Sequence, residues 1–168
     1  GYKGDHKDKN DEALELAEKL PDVRHVQNPD RVKAAQTAIV DHAATAIVLD
    51  DGFQHRRLGR DFDLVLIAST EPFGFEYLFP RGTLREPLSN RRRADAVALT
   101  RVDCITVEYR AILKKRIQSI APNAVWIEMA HRAAFLTERG GETVSLTSLH
   151  HARVIAFCGI GNPTNFVQ

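Results

Sequence analysis

An α/β fold, built on a parallel sheet with helices on both faces, is the architecture this sequence predicts. Short apolar runs recur at Ala46–Leu49, Leu64–Ala68, Ala94–Leu99 and Val125–Met129, and segments of helical period lie before and between them. Strands that alternate with helices are the mark of βαβ units, whose crossovers wind a sheet from both sides. Leu64–Ala68 is continuously apolar rather than alternating, as a parallel strand covered on both faces is.

Taken in order, residues 1–10 are polar and densely charged, the composition of an exposed loop. Asn10 is placed to cap a helix from Asp11 to about Leu20, with Ala13, Leu14, Ala17 and Leu20 on one stripe and Asp11 and Glu12 at the positive dipole end. Pro21 stops it. Asn28-Pro29-Asp30 signals a second start, with proline in the first turn, and Val32, Ala35, Ala38 and Ile39 carry helical spacing to about His42. Residues 71–93 hold Pro72, Gly74, Pro80, Gly82 and Pro87 among scattered arginines, too long for an ordinary connection and so a candidate functional loop. Tyr109–Ile120 reads as an amphipathic helix, Arg139-Gly140-Gly141-Glu142 as a hairpin turn, and Val154–Cys158 as a strand running into Gly159-Ile160-Gly161-Asn162-Pro163. This last start divides the chain, at a soft boundary, into residues 1–150 and the opening of a second α/β unit at 151–168.

The bulk properties narrow the function. With 168 residues and 43% hydrophobic content, the chain holds one full domain or one domain and part of another. Its 23 Lys+Arg and 22 Asp+Glu nearly cancel, so nothing global points to nucleic acid. Cys104 and Cys158 lie far apart without metal-ligand spacing, which suits a reducing compartment. No apolar run approaches the roughly 20 residues of a membrane helix. The start at Gly1 without methionine, and the end within an apparent new helix at Asn165–Gln168, read as a piece of a longer protein.

Chemistry is concentrated after the first apolar run, in Asp50-Asp51-Gly52-Phe53-Gln54-His55-Arg56-Arg57-Leu58-Gly59-Arg60. A strand ending in two acids delivers carboxylates to the edge where open α/β sheets bind ligands. Such a pair either holds a hard cation through its oxygens or divides into one turn cap and one solvated acid, and the pair alone leaves both open. Gln54 and His55 beside it favour a site, since a donor-rich turn can grip phosphate or hydroxyl groups. Arg31 sits in a first helical turn, where the dipole disfavours a cation, which points to anion contact. Arg85 and Glu86 lie in a loop with no evident core and either pair locally or face a ligand. Arg91-Arg92-Arg93 reads as a solvated basic face, suited also to phosphate or an anionic membrane surface. The Gly159–Pro163 turn is only a generic resemblance to a phosphate loop.

The run from Leu49 to Ile67, Leu-Asp-Asp-Gly-Phe-Gln-His-Arg-Arg-Leu-Gly-Arg-Asp-Phe-Asp-Leu-Val-Leu-Ile, resembles the signature of the tetraacyldisaccharide 4'-kinase family of lipid A biosynthesis. Gly1-Tyr2, Asn10-Asp11-Glu12, Asp30-Arg31, Leu84-Arg85-Glu86-Pro87 and Gly159–Pro163 are similar to family segments in the same order, so the resemblance spans essentially the whole chain. It implies a P-loop NTPase fold, ATP as phosphoryl donor, Mg²⁺ as cofactor, an acylated disaccharide lipid as substrate, and peripheral attachment to the anionic cytoplasmic face of the inner membrane. Position by position it implies Asp11 as the carboxylate that takes the proton of the sugar hydroxyl, and Asp50 and Asp51 as the acids that hold Mg²⁺. Glu12, Arg31, Gln54, His55, Arg85 and Glu86 match positions that line the substrate and phosphate site. Asn10 stands where the family has glycine, and Asn162 where some relatives carry histidine.

The family's glycine-rich loop lies upstream of the Arg-Gly-Tyr segment, and no Gly-x-x-x-x-Gly-Lys-Ser/Thr occurs in these 168 residues. The expectation is therefore a partial kinase domain, inactive by itself. The alternative is a non-catalytic nucleotide-binding or scaffold module of P-loop-like fold. Thr100-Arg101-Val102-Asp103, similar to a guanine-reading motif, raises a GTPase-type switch as a third reading.

Overall fold

The structure, a computed structural model, describes residues 11–158, of Asp11 and Glu12 the backbone only. It divides into two compact units, with the boundary between Met129 and Ala130.

The first unit opens with α1 (Asp11–Lys19) and α2 (Arg31–His42). Asp30, not a proline in the first turn, starts α2: its carboxylate accepts from Val32 N at 3.0 Å and from Lys33 N at 3.5 Å. The bond from Val32 N lowers the Asp30 pKa below the ordinary aspartate value. A lowered carboxylate stabilises the fold above its unfolded pKa, so this cap is complete near neutral pH and is lost as the pH falls through the folded value. Ala43, left-handed at φ 50°, ends the helix.

Three parallel strands follow, β1 (Leu64–Ala68), β2 (Ala96–Thr100) and β3 (Val125–Met129), in the order β1-β2-β3. The expected parallel sheet is present. Register places Val65, Val97 and Trp126 in one row and Ile67, Leu99 and Glu128 in the next. Because side chains alternate between faces, the apolar members of these rows share one face. They form the core with Leu113 and Ile117 of α3 (Val107–Ile120) and with Phe73, Phe53 and Leu88 from the loops. Thr106, one turn before the expected start at Tyr109, caps α3 by accepting from Tyr109 N at 3.2 Å. Thr106→Ala should cost about 1 kcal/mol in chemical denaturation.

The opposite face carries Leu64, Leu66, Val125 and Ile127, all exposed, around the buried Ala96 and Ala98. β1 is thus covered on one face only among the described residues, where coverage on both was expected. Ala46–Leu49, expected as a buried strand, forms no strand, and Val48 is 98% exposed. The missing strand has a physical reason: a strand exists only where a neighbour takes its N–H and C=O groups. No described residue pairs with the backbone of 46–49, and β1 pairs only with β2.

The second unit contains the hairpin β4 (Leu136–Thr137) and β5 (Thr143–Val144), closed by Glu138 N donating to Glu142 O at 2.9 Å. Gly141 supplies the turn's positive φ of 86°. Val154–Cys158, expected as a strand, forms none; Ile155 and Phe157 are exposed and no described partner bonds their backbone. The cap at Asn10 and the Gly159–Pro163 turn lie outside the described residues.

Candidate functional site

The acid pair lies at the mouth of a groove of about 1400 Å³ in the first unit. Ala35 and Ile39 of α2, the extended segment 46–49, and Leu64 and Leu66 of β1 belong to its apolar lining, while Asp50, Asp51, Gln54, Arg85 and Glu86 are among its polar lining, together with Arg60 and Arg91. The chain turns sharply after the apolar segment because Asp51 takes φ 50°, a left-handed conformation that aspartate tolerates better than bulkier residues. His55 N then donates to Gly52 O at 2.9 Å, closing the next turn.

Two ion pairs lie beside this turn, one joining it to the loop 71–93 and one within that loop, and they differ in kind. Arg85 donates to Asp51, with the two side chains 66% and 59% exposed, so solvent screening leaves the pair less than about 1 kcal/mol and the carboxylate open to exchange. Glu86 and Arg93 are 18% and 23% exposed. Both Glu86 oxygens are taken: Oε1 accepts from Arg93 Nη2 at 3.2 Å and Gln54 Nε2 at 3.5 Å, and Oε2 from Arg93 Nη2 at 3.1 Å and Asn90 Nδ2 at 2.9 Å. Glu86 therefore holds its neighbours together.

The loop 71–93 is ordered by its own backbone. Phe79 N donates to Leu84 O, Gly82 N to Leu78 O, Thr83 N to Gly74 O and Leu84 N to Tyr77 O, all between 2.9 and 3.2 Å. At Gly82 a Cβ would collide with the carbonyl oxygens of Gly74 and Tyr77, so the loop closes only around a glycine. Gly82→Ala should open it, at a cost of about 1–3 kcal/mol, seen as faster hydrogen exchange at Thr83 and Leu84.

The basic run 91–93 departs from a solvated face. Arg92 is exposed, but Arg91 and Arg93 are half-buried. Arg91 Nη1 donates to Pro72 O at 2.9 Å, and burial pushes the Arg91 pKa down. A basic triplet read only as composition hides this split. The signal available was Glu86 seven residues upstream in a loop without apolar cover.

Of the other site residues, Arg31 opens α2 and donates to Asn28 O at 3.4 Å, outside the groove lining. His55 sits in the turn but is likewise absent from the lining. The backbone of Asp11 and Glu12 begins α1; their side chains lie outside what is described. Among the described residues no group of three or more His, Cys, Asp and Glu could hold a metal by itself. Two carboxylates nevertheless fit Mg²⁺, which is commonly bound by one or two acids and takes its other ligands from water and phosphate.

The sequence profile of the family described as Tetraacyldisaccharide-1-P 4'-kinase matches residues 2–168. The chain belongs to this family. Among curated members, the Tetraacyldisaccharide 4'-kinase of Halothermothrix orenii is 38% identical over 168 residues, covering 94% of this chain and 44% of that protein. That of Anaeromyxobacter dehalogenans (strain 2CP-1) is 38% identical over 159 residues, covering 94% and 42%. That of Syntrophus aciditrophicus is 34% identical over 171 residues, covering 93% and 44%. The chain thus spans less than half the length of these relatives. No solved structure matches it significantly. Among the described residues no helix is long and apolar enough to cross a membrane.

Proposed function

We propose that the full-length protein transfers a phosphoryl group from ATP to the 4'-hydroxyl of a tetraacyldisaccharide 1-phosphate, an acylated lipid, at the anionic cytoplasmic face of the inner membrane. One observation carries the reading: in a chain matched almost end to end by the kinase family, the fold gathers Asp50, Asp51, Gln54, Arg85 and Glu86 at one groove.

Each residue has a part in this proposal. Asp11 takes the proton of the attacking hydroxyl, and Asp50 and Asp51 hold Mg²⁺. Bound together, ATP and Mg²⁺ supply the phosphoryl group and neutralise the charge of its oxygens. Arg85, when released from Asp51, offers a guanidinium to phosphate, and Gln54 an amide donor. Glu12, Arg31 and His55 complete the substrate and phosphate surroundings, and Glu86 keeps Gln54 in place.

Residues 1–150 are proposed as part of a P-loop kinase domain and 151–168 as the start of a second α/β unit. The edges of 46–49 and β1, which no described residue pairs and which line one groove, support the first statement, because a further parallel strand between them would satisfy both.

The test is transfer from labelled ATP by the full-length protein to the purified disaccharide 1-phosphate in detergent micelles, with the product's new phosphate located by mass spectrometry. Transfer to the 4' position, competed by ATP and not by GTP, is expected. No transfer would remove the kinase reading, and competition by GTP would favour the switch suggested by Thr100–Asp103. Asp11→Asn should lower kcat by about 100-fold to 10,000-fold, the range of a lost general base; an unchanged kcat would refute that role.

A further inference from the structure

We propose that Arg60 and Arg93 are positioning residues, two guanidinium clamps that fix the turn after the acid pair and lock it to the Arg85–Glu86 loop; the inference rests on the kinase reading of the groove. The turn Gly52–His55 has no sheet of its own to hold it, and three of its four carbonyls accept from these two arginines. Arg60 Nη1 donates to Gly52 O and to His55 O, each at 2.8 Å. Arg93 Nη2 donates to Phe53 O at 3.2 Å, from the opposite end of the sequence segment that carries the site.

Each clamp is anchored in the fold. Arg60 Nε lies 3.0 Å from Asp63 Oδ1, an ion contact outside hydrogen-bond angles, with the two side chains only 17% and 16% exposed. Asp63 is itself tied to the base of the sheet: its N donates to Asp95 Oδ2 at 2.7 Å, and its carbonyl accepts from Asp95 N at 3.0 Å and Ala96 N at 3.2 Å. The Arg93 guanidinium stands 4.4 Å from the centre of the Phe53 ring, which packs against the core, and it grips Glu86. A planar guanidinium presents five N–H donors in a rigid fork and stacks flat on an aromatic face, a geometry that the compact ammonium of lysine, with three donors on a flexible stem, does not reproduce. The carbonyls of the turn are thereby committed to the protein, and the acids before them are set relative to sheet and loop.

The experiment uses the full-length protein with Arg93→Gln, Arg93→Lys, Arg60→Gln and Arg60→Lys. Two readouts are taken: steady-state kinetics of phosphoryl transfer, and hydrogen exchange of the His55, Arg56 and Leu58 amides. Loss of a clamp should lower kcat by about 100-fold, the scale of a small misplacement of reacting groups, with KM for both substrates unchanged. The turn amides should exchange faster. Lysine should rescue only in part, and it carries the comparison if glutamine prevents folding. A raised KM with unchanged kcat would make these arginines substrate contacts and overturn the proposal. So would unchanged kcat and KM, and so would unchanged exchange in all four variants. Should the wild-type protein transfer no phosphoryl group, the kinase reading fails while the exchange readout still decides whether the clamp exists.

Discussion

Full-length protein carrying Asp50→Ala together with Asp51→Ala should lose Mg²⁺-dependent phosphoryl transfer, by at least about 1000-fold, or about 4 kcal/mol of transition-state stabilisation, if the proposed metal role holds. The comparison variant is Arg85→Ala. If Asp51 served only its exposed pairing with Arg85, removing either partner would have similar and small consequences, because exposed pairs contribute little. If the acids hold the cation, the Asp variants shift or abolish the Mg²⁺ dependence of turnover and Arg85→Ala does not. Metal titrations of kcat for the three proteins separate the two. Retained Mg²⁺-dependent activity in the double variant would refute the assignment.

Leu99→Ala should destabilise the sheet by about 3 kcal/mol, the cost of removing a buried leucine without collapse of the space it leaves. Leu99 is fully buried on the central strand β2, in register between Ile67 and Glu128, and belongs to the cluster that includes Leu113 and Ile117 of α3. Urea denaturation of this chain measures it. A loss below about 1 kcal/mol would mean that α3 does not close this face, since an exposed leucine is nearly free to shorten.

Much of the fold was legible because its signals are local. Leu64–Ala68 and Val125–Met129 are strands over the residues that their apolar runs mark, and α2 ends at His42, where its period ends. Ala46–Leu49 and Val154–Cys158 carry equally apolar runs and form no strand among the described residues. Apolar composition states what a segment would bury; pairing requires a partner at hydrogen-bond distance, which no single run encodes.

The site divides in the same way. Asp50, Asp51, Gln54, Arg85 and Glu86 stand out in sequence because polar residues follow a buried-type run or fill a loop without a core, and all five line one groove. Arg60 and Arg93 were visible only as members of arginine-rich runs; that they hold backbone carbonyls of the turn was not, because the acceptors are set by the folded chain. Arg93 reaches back 40 residues to Phe53 O, and Asp63 meets Asp95 across 32.

By itself, then, the sequence determined the α/β class, the helix and strand periods, the family and the place of the acid pair at the end of an apolar segment. Those properties are carried by neighbours in the chain, where spacing alone sets which side chains share a face. Only the tertiary structure decided that Asp51 is held loosely by Arg85 while Glu86 is consumed by Arg93, Gln54 and Asn90. Two pairs of the same charge types differ there because burial sets how strongly a carboxylate is held, and burial is a property of the assembled fold.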